Sequence, residues 1–173
     1  PEPFGDGGTK MAWNTFNVVS IYPNGNPVMS DVNQRWVGDC CACAVIASMA
    51  YLYPRFVKHI IKDNMDKTYT VTMYDPKGKQ ISVGVGGDYF IGNSGDLGAL
   101  GGRNKEVTWA TILEKAMIKW NQIYQGSSNV GGIGTEYVSA IFTGDGESVG
   151  FGANALIAED LQRAVEVSLK QGR

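Results

Sequence analysis

An almost uninterrupted series of apolar and small side chains runs from Cys40 to Tyr53, and it constrains the fold more than any other part of the sequence. The series is too short to span a bilayer, which takes about twenty residues, and its length is typical of a buried core helix. The whole chain has 173 residues, of which 43% are hydrophobic and 18% are charged. This composition is sufficient for one domain with a sizeable core, and we expect the helix at its centre.

Cys40 stands where that helix is expected to begin, six positions after Gln34. A cysteine on the first turn of a buried helix lies among unpaired backbone N–H groups at the positive end of the helix dipole, which favours thiolate over thiol. A glutamine just upstream can place its side-chain NH2 beside the N–H of the cysteine, so that two donors converge as an oxyanion hole requires. The pattern predicts the nucleophile half of a cysteine peptidase, with Cys40 as nucleophile and Gln34 as oxyanion donor.

A thiol nucleophile normally works with a histidine base and a third group that orients it. This sequence contains one histidine, His59. If the helix continued from Cys40 without a break, His59 would lie about 28 Å away, and the bend expected at Pro54 does not fold a helix back onto its first turn. We therefore expect His59 on a helix surface. Either the chain is not a catalyst, or its general base lies on another polypeptide.

Three cysteines, Cys40, Cys41 and Cys43, lie within four residues, which is not the spaced, even-numbered framework of a disulfide-rich protein. The Cys-x-x-Cys spacing leaves a redox or zinc function open. Zinc would need four ligands, and the sequence offers no second Cys or His pair. Cys41 and Cys43 are expected to be small side chains that pack the helix.

The charge balance excludes several partners. The net charge is −2 and the pI is near 5.4, which provides no basic surface for nucleic acid or for an acidic membrane. No apolar stretch is long enough to predict a transmembrane segment. The 23 glycines are nearly twice the usual share of about 7%, yet none forms a phosphate-binding pattern, so long turns or loops that line a cleft are expected.

Two further predictions concern the segment that follows the core helix. A short second helix is expected over residues 55–62. Alternating β-branched residues over 68–73 and 80–85 predict two strands, and the Asp-Pro-Lys-Gly sequence at 75–78 predicts the tight turn that joins them. This segment is therefore expected to form a β-hairpin.

Helical periodicity returns in the second half of the chain. Apolar residues from Trp109 to Trp120 recur at i, i+3, i+4, i+7, i+8 and i+11, which predicts an amphipathic helix. A shorter helix is expected after Thr135, and a last one over residues 154–170, with Gly172 as its C-terminal stop.

These pieces follow one another in a familiar order. The order is a Gln-x-x-x-Gly-Asp-Cys motif ending at Cys40, a hairpin, the helix sequence Trp-Ala-Thr-Ile-Leu-Glu-Lys-Ala that starts at Trp109, then Tyr124 and a Gly-Gly loop. They resemble the first protease-core subdomain of calpain-like cysteine peptidases over about residues 23–173. The resemblance implies an α+β fold of the papain-like, calpain-like type, with a central buried helix that begins at the catalytic cysteine and a small β-hairpin. Residues 1–173 would form that single subdomain.

The resemblance also assigns roles to single residues. Cys40 matches the nucleophile, and Gln34 matches the glutamine of the oxyanion hole. Gly131 and Gly132 match paired glycines that hydrogen-bond the substrate backbone. Cys41 stands where the family has tryptophan, which is expected to reshape the adjoining wall of the site.

Calpain-like cores bind calcium, and the resemblance places two ligands in this chain. Asp31 falls where the family has a calcium carboxylate, and Glu106 lies one residue from the second position. Calcium takes six to eight oxygens, and carbonyls of the turn at 23–26 can complete such a set. The alternative is that Asp31 caps a turn and Glu106 caps a helix. No EF-hand pattern is present.

In this family the catalytic His and Asn come from a second subdomain, which follows a helix like that expected at 154–170. We therefore expect a second polypeptide that supplies both residues, namely the C-terminal part of the same precursor after autoproteolytic cleavage at Arg173; an isolated subdomain is the alternative. The assembled protein would be a calcium-dependent cysteine endopeptidase that acts on protein and peptide substrates, and the loose match outside the motifs favours a bacterial member. A non-catalytic calpain-like binding module and a metal or redox protein built on the cysteine cluster remain open.

Overall fold

The computed structural model describes residues 12–92, 95–126 and 135–144. Its helices are α1 (Cys40–Leu52), α2 (Pro54–Ile60), α3 (Trp109–Gln125), α4 (Thr135–Thr143) and a short 3-10 turn at Met29–Asp31. Its strands are β1 (Ala12–Thr15), β2 (Ile61–Asp63), β3 (Tyr69–Tyr74), β4 (Gln80–Val85) and β5 (Asp88–Ile91). The predicted Gly131-Gly132 loop and the helix predicted for 154–170 lie outside the described residues.

The described strands form two small antiparallel sheets beside the helices. One sheet has the order β2-β3-β4, and the other pairs β1 with β5. The second sheet joins distant parts of the chain, with Ala12 opposite Ile91. This combination of helices with separate antiparallel sheets confirms the predicted α+β class.

Helix α1 begins at Cys40, as predicted, and ends at Leu52 because Pro54 lacks the N–H that would continue it. Pro54 instead starts α2, which is bent by 113° from α1. Among the described residues no single helix is long and apolar enough to cross a membrane, and the two that reach the length together are separated by this bend. His59 lies exposed on α2, as predicted.

Helix α2 is shorter than predicted. The prediction extended it over residues 55–62, but the backbone becomes extended at Ile61, and Ile61–Asp63 form β2 instead. Ile61 pairs with Val71 and is buried against the sheet. A β-branched residue gains more from this pairing than from one further helical turn, since its side chain is stiff and fits a pleated surface.

The predicted hairpin is present as β3 and β4, with Tyr74 opposite Gln80. The carboxylate of Asp75 accepts hydrogen bonds from the N–H groups of Lys77 and Lys79, both at 2.9 Å. Gly78 closes the turn with a φ of 76°, a left-handed conformation that favours glycine. One face of β3 is buried and carries Tyr69, Val71 and Met73 into the core.

Helix α3 crosses the core. Thr108 caps its N-terminus by accepting a hydrogen bond from the Ala110 N–H, and Gly126 ends it in the left-handed conformation. The prediction that α3 is helical from Trp109 is confirmed. The helix is buried on almost all sides, however, and this burial includes the charged residues Glu114 and Lys115.

Candidate active site

Cys40 is the first residue of α1, and its side chain is exposed to solvent. The residue before it, Asp39, occupies the N-cap position but makes no side-chain hydrogen bond to the first turn. The first backbone N–H groups of α1 therefore have no side-chain cap. An exposed thiol at this position can reach a substrate carbonyl. The uncapped N–H groups beside it can then stabilise the negative charge that develops on the carbonyl oxygen.

The Asp39 carboxyl turns inward from the helix start and is only 3% exposed. Its Oδ1 accepts a hydrogen bond from the Cys43 thiol, with the sulfur at 3.5 Å, and its buried Oδ2 has no hydrogen-bond partner among the described residues. Burial raises the pKa of Asp39. Burial, followed by the neighbouring charge of Asp39, raises the pKa of Cys43 well above its usual range. Cys43 is therefore an unreactive, protonated thiol at neutral pH.

Gln34 lies in the loop that leads into α1. Its Nε2 donates a hydrogen bond to the backbone carbonyl of Val37 at 2.9 Å. The same amide lies close enough to Asp39 to lower the pKa of that carboxyl, although it does not reach Oδ2 in hydrogen-bond geometry. The oxyanion role of Gln34 stays a prediction, and the amide has a second N–H that is not used by Val37.

Trp36 forms an exposed aromatic surface in the same loop. Its backbone N–H donates to the Gly98 carbonyl at 3.0 Å. Its indole lies against Gly92 so closely that a Cβ added there would stand 2.5 Å from Nε1. Cys41, which replaces the tryptophan expected from the resemblance, is half-buried.

Glu114 was not predicted as a site residue, yet it lies beside Asp39, the residue that precedes Cys40. It is 2% exposed, and its carboxyl is within hydrogen-bond reach of the Asp39 carboxyl. Its Oε2 accepts a hydrogen bond from the Leu100 N–H at 2.9 Å. Burial, and then the charge of Asp39, raises the pKa of Glu114 well above its ordinary value.

Asp31, a predicted calcium ligand, is buried in a network of donors. Its Oδ1 accepts from Asn24 Nδ2 at 2.8 Å. Its Oδ2 accepts from the Val28 N–H at 3.2 Å and from Trp109 Nε1 at 2.7 Å. These three bonds stabilise the carboxylate without a cation. For a cation to bind Oδ1, the Asn24 amide would have to rotate so that its oxygen, rather than its NH2, faces Asp31.

Glu106, the second predicted calcium ligand, lies on the loop that follows Gly102. Its buried Oε2 has no partner among the described residues. The carboxyl packs on Gly102, where a Cβ would stand 2.1 Å from Oε1. Pairing of Asn33 with Gly101 joins this loop to the strand-like segment after Asp31. The orphaned oxygen fits a cation ligand.

A metal site made only of side chains is not present in the part of the chain that the structure describes, where no three His, Cys, Asp or Glu residues are grouped to hold an ion. Calcium at Asp31 and Glu106 would thus depend on backbone carbonyls, which this ion readily accepts.

The site has no base of its own within the described ranges. His59 is exposed on α2, beyond the 113° bend, and α1 separates it from Cys40. The proposed substrate glycines, Gly131 and Gly132, lie outside the described residues, so their role stays a prediction.

An exposed cysteine at the uncapped start of a buried helix, with an amide side chain in the preceding loop, is an arrangement suited to thiol-dependent hydrolysis. The family model of the calpain family cysteine proteases matches residues 13–169 of this sequence. The chain therefore belongs to the calpain family of cysteine proteases, which confirms the resemblance and supports a hydrolase that cleaves peptide bonds in proteins. No curated protein matches the sequence.

Proposed function

We propose that this chain is the nucleophile-bearing part of a calcium-dependent cysteine endopeptidase, with Cys40 as the nucleophile. The observation that carries the proposal is the exposed Cys40 thiol at the uncapped N-terminus of α1 in a chain of the calpain family. The other two thiols are unsuited to this role because burial raises the pKa values of both Cys41 and Cys43.

The chemistry is acyl transfer. The Cys40 thiolate attacks a peptide carbonyl carbon and forms a C–S bond, while the Cys40 N–H and the Gln34 amide N–H that Val37 does not accept stabilise the oxyanion. The C–N bond then breaks as the leaving amine takes the proton that the histidine base had removed from the Cys40 thiol. Water hydrolyses the thioester, releases the carboxylic acid and restores the thiol.

The base must be a histidine from outside this sequence, since His59 is exposed on α2 and the sequence contains no other. We place it, with an orienting Asn, in a further segment of the same precursor that docks over the start of α1. An exposed Cys40 and an exposed Trp36 leave that side of the loop accessible to such a partner. Extended protein segments are the substrates proposed for the cleft between the two parts.

The experiment that tests this function compares the precursor with its Cys40→Ala variant on a fluorescently labelled unfolded protein. We expect cleavage to disappear in Cys40→Ala and to persist in Cys43→Ala, which is the matched control from the same helix. Cleavage that survives in Cys40→Ala would overturn the assignment. A precursor that binds unfolded protein without cleaving it would instead support a non-catalytic binding module.

Calcium would be held by Glu106, by Asp31 once the Asn24 amide has turned, and by carbonyls of the turn at 23–26. The ion would bind carboxylates from both segments that meet at the pairing of Asn33 with Gly101. It would thereby stabilise one arrangement of the two segments.

Thermal unfolding with added CaCl2 or EDTA tests this part separately. We expect calcium to raise the midpoint of the wild-type chain and to have little effect on Glu106→Gln. The exposed Asp66→Asn variant is the control and should respond as wild type does. An equal response of Glu106→Gln and wild type would rule out this site.

A further inference from the structure

Asp39 and Glu114 form a pair of buried carboxyl groups immediately behind the proposed nucleophile. Asp39 is 3% exposed and Glu114 is 2% exposed, and the two side chains are within hydrogen-bond reach of each other. One member precedes Cys40 in the chain, and the other projects from the middle of α3. The pair therefore connects the start of the nucleophile helix to α3, which is buried on almost all sides.

Among the residues that the structure describes, no cation is identified as a partner of this pair. The groups of α1 that interact with it are the thiols of Cys41 and Cys43, and the group from the preceding loop is the amide of Gln34. No ammonium or guanidinium of the described residues contributes to the electrostatics of either carboxyl.

Lys115, which follows Glu114 in sequence, donates hydrogen bonds to the carbonyls of Gly86 and Asp88. Two like charges buried side by side without a cation are strongly unfavourable, so the pair retains one proton.

The hydrogen bonds favour Glu114 as the member of the pair that carries that proton. Oε2 of Glu114 accepts from the Leu100 N–H, so a proton held by this carboxyl belongs on Oε1. Asp39 Oδ1 already accepts from the Cys43 thiol, and Asp39 Oδ2 is buried without a donor. A proton on Glu114 Oε1 satisfies the Asp39 oxygen, whereas a proton on Asp39 would leave that carboxyl with less charge for the Cys43 thiol and Gln34 amide.

We propose that Glu114 is a positioning residue of the peptidase site, whose protonated carboxyl donates a hydrogen bond to Asp39 and thereby fixes the start of α1 and Cys40. This proposal rests on the function proposed for Cys40. Glu114 also fixes a second segment, because Leu100 lies two residues after Gly98, whose carbonyl accepts the Trp36 N–H. One neutral side chain thus fixes the position of both the start of α1 and the segment that contains Gly98 and Leu100.

The protonated state has a consequence for pH. The raised pKa of Glu114 means that the folded chain binds more protons than the unfolded chain between the ordinary glutamic acid pKa and the raised value. Stability therefore falls as pH rises through that window. Loss of the proton would also place a second negative charge beside Asp39, at the start of α1.

Glu114→Gln tests the protonation state, because a neutral amide can donate to Asp39 and accept from Leu100 as the protonated acid does. Glu114→Leu has a similar size and can do neither. The measurements are the rate of Cys40 alkylation by iodoacetamide, located by peptide mass spectrometry, and the urea midpoint, both from pH 5 to pH 9.

We expect Glu114→Gln to keep the wild-type alkylation rate at neutral pH and to lose the decline in urea midpoint that wild type shows as pH rises. We expect Glu114→Leu to alkylate about tenfold differently from wild type because the start of α1 shifts. A Glu114→Gln variant that behaves like Glu114→Leu would overturn the proposal, and so would a Glu114→Leu variant that behaves like wild type. If Glu114→Leu does not fold, the proposal is still tested by comparing how the urea midpoints of Glu114→Gln and wild type depend on pH.

These readouts do not depend on peptide cleavage. If the precursor lacks peptidase activity while the two variants behave as expected, the proposed function fails and the positioning of Cys40 by Glu114 stands. If cleavage is lost in Cys40→Ala but Glu114→Gln retains the pH dependence of wild type, the proposed function stands and the positioning role of Glu114 fails.

Discussion

Replacement of Asp31 gives the sharpest test of how the loop before α1 is held. The Asp31 carboxylate accepts hydrogen bonds from Asn24 Nδ2, the Val28 N–H and Trp109 Nε1, at 2.8, 3.2 and 2.7 Å. Hydrogen bonds to a charged group contribute about 1.5–3 kcal/mol each, and about half of that when the group is neutral. Two variants of Asp31 separate the geometry of this network from its charge.

The Asp31→Asn variant can keep all three bonds. Val28 and Trp109 share one oxygen of Asp31, so an asparagine carbonyl can serve both. The new NH2 would face Asn24, whose amide turns over to present its oxygen. Only the charge is lost, and we expect a cost of about 1–3 kcal/mol.

The Asp31→Ala variant removes both oxygens. It leaves the indole N–H of Trp109, a residue that is 0% exposed, without an acceptor. We expect a cost of about 3–5 kcal/mol, since a buried donor without a partner bears its full desolvation penalty.

Urea unfolding in EDTA, followed by far-ultraviolet circular dichroism, measures both costs while excluding any bound cation. The midpoint should fall in the order wild type, Asp31→Asn, Asp31→Ala, with an unchanged slope. Asp66→Asn is the control, because its exposed carboxylate accepts only from Thr68, and its midpoint should match wild type. Equal midpoints for the two Asp31 variants would refute the network as the source of stability.

Three further outcomes are expected. Iodoacetamide should label Cys40 well before Cys43, because Cys40 is exposed while burial and the charge of Asp39 raise the pKa of Cys43; comparable labelling by peptide mass spectrometry would contradict this. Thr108→Ala should lower the free energy of unfolding by about 1–2 kcal/mol through loss of the α3 cap, whereas Thr108→Ser, which keeps the hydroxyl, should restore most of it in the same urea assay. Lys115→Met should lower it by about 2–4 kcal/mol, since the ammonium of this buried residue donates to the carbonyls of Gly86 and Asp88 and lies 4.7 Å from the ring centre of Trp13; a midpoint equal to wild type would show that these contacts contribute little.

The sequence was sufficient for the elements whose signals are local. The start of α1 at Cys40 follows from its apolar series, and its end follows from Pro54. The start of α3 follows from helical spacing. These signals depend on neighbours within one or two turns, so they survive in the folded chain.

Nonlocal pairing could not be predicted in the same way. Residues Ile61–Asp63 continue a helical pattern in sequence and become a strand only because Val71 is available as a partner. The pairing of Ala12 with Ile91 joins segments with no shared turn signal. Such strands are determined by tertiary context rather than by their own propensity.

The candidate site was predicted in part. The position of Cys40 at the head of a helix was predicted correctly from the sequence. Glu114 was missed because helical spacing assigns charged residues to the solvent side of an amphipathic helix, whereas α3 is enclosed on almost all sides. The available signals were the acidic residue next to the nucleophile, Asp39, and a Glu-Lys pair inside an otherwise apolar helix.

The bonds that leave α3 have a consequence for hydrogen exchange. Trp109 binds Asp31, Glu114 binds the Leu100 N–H, and Trp120 donates to the Tyr74 carbonyl, so the helix is tied to three separate segments along its length. The Leu100 amide belongs to a loop, yet its acceptor is 2% exposed and cannot be released without disturbing the core. Loop amides normally exchange through small local openings. This one should exchange as slowly as the helix itself, which makes the loop beside the nucleophile part of the last unit to unfold.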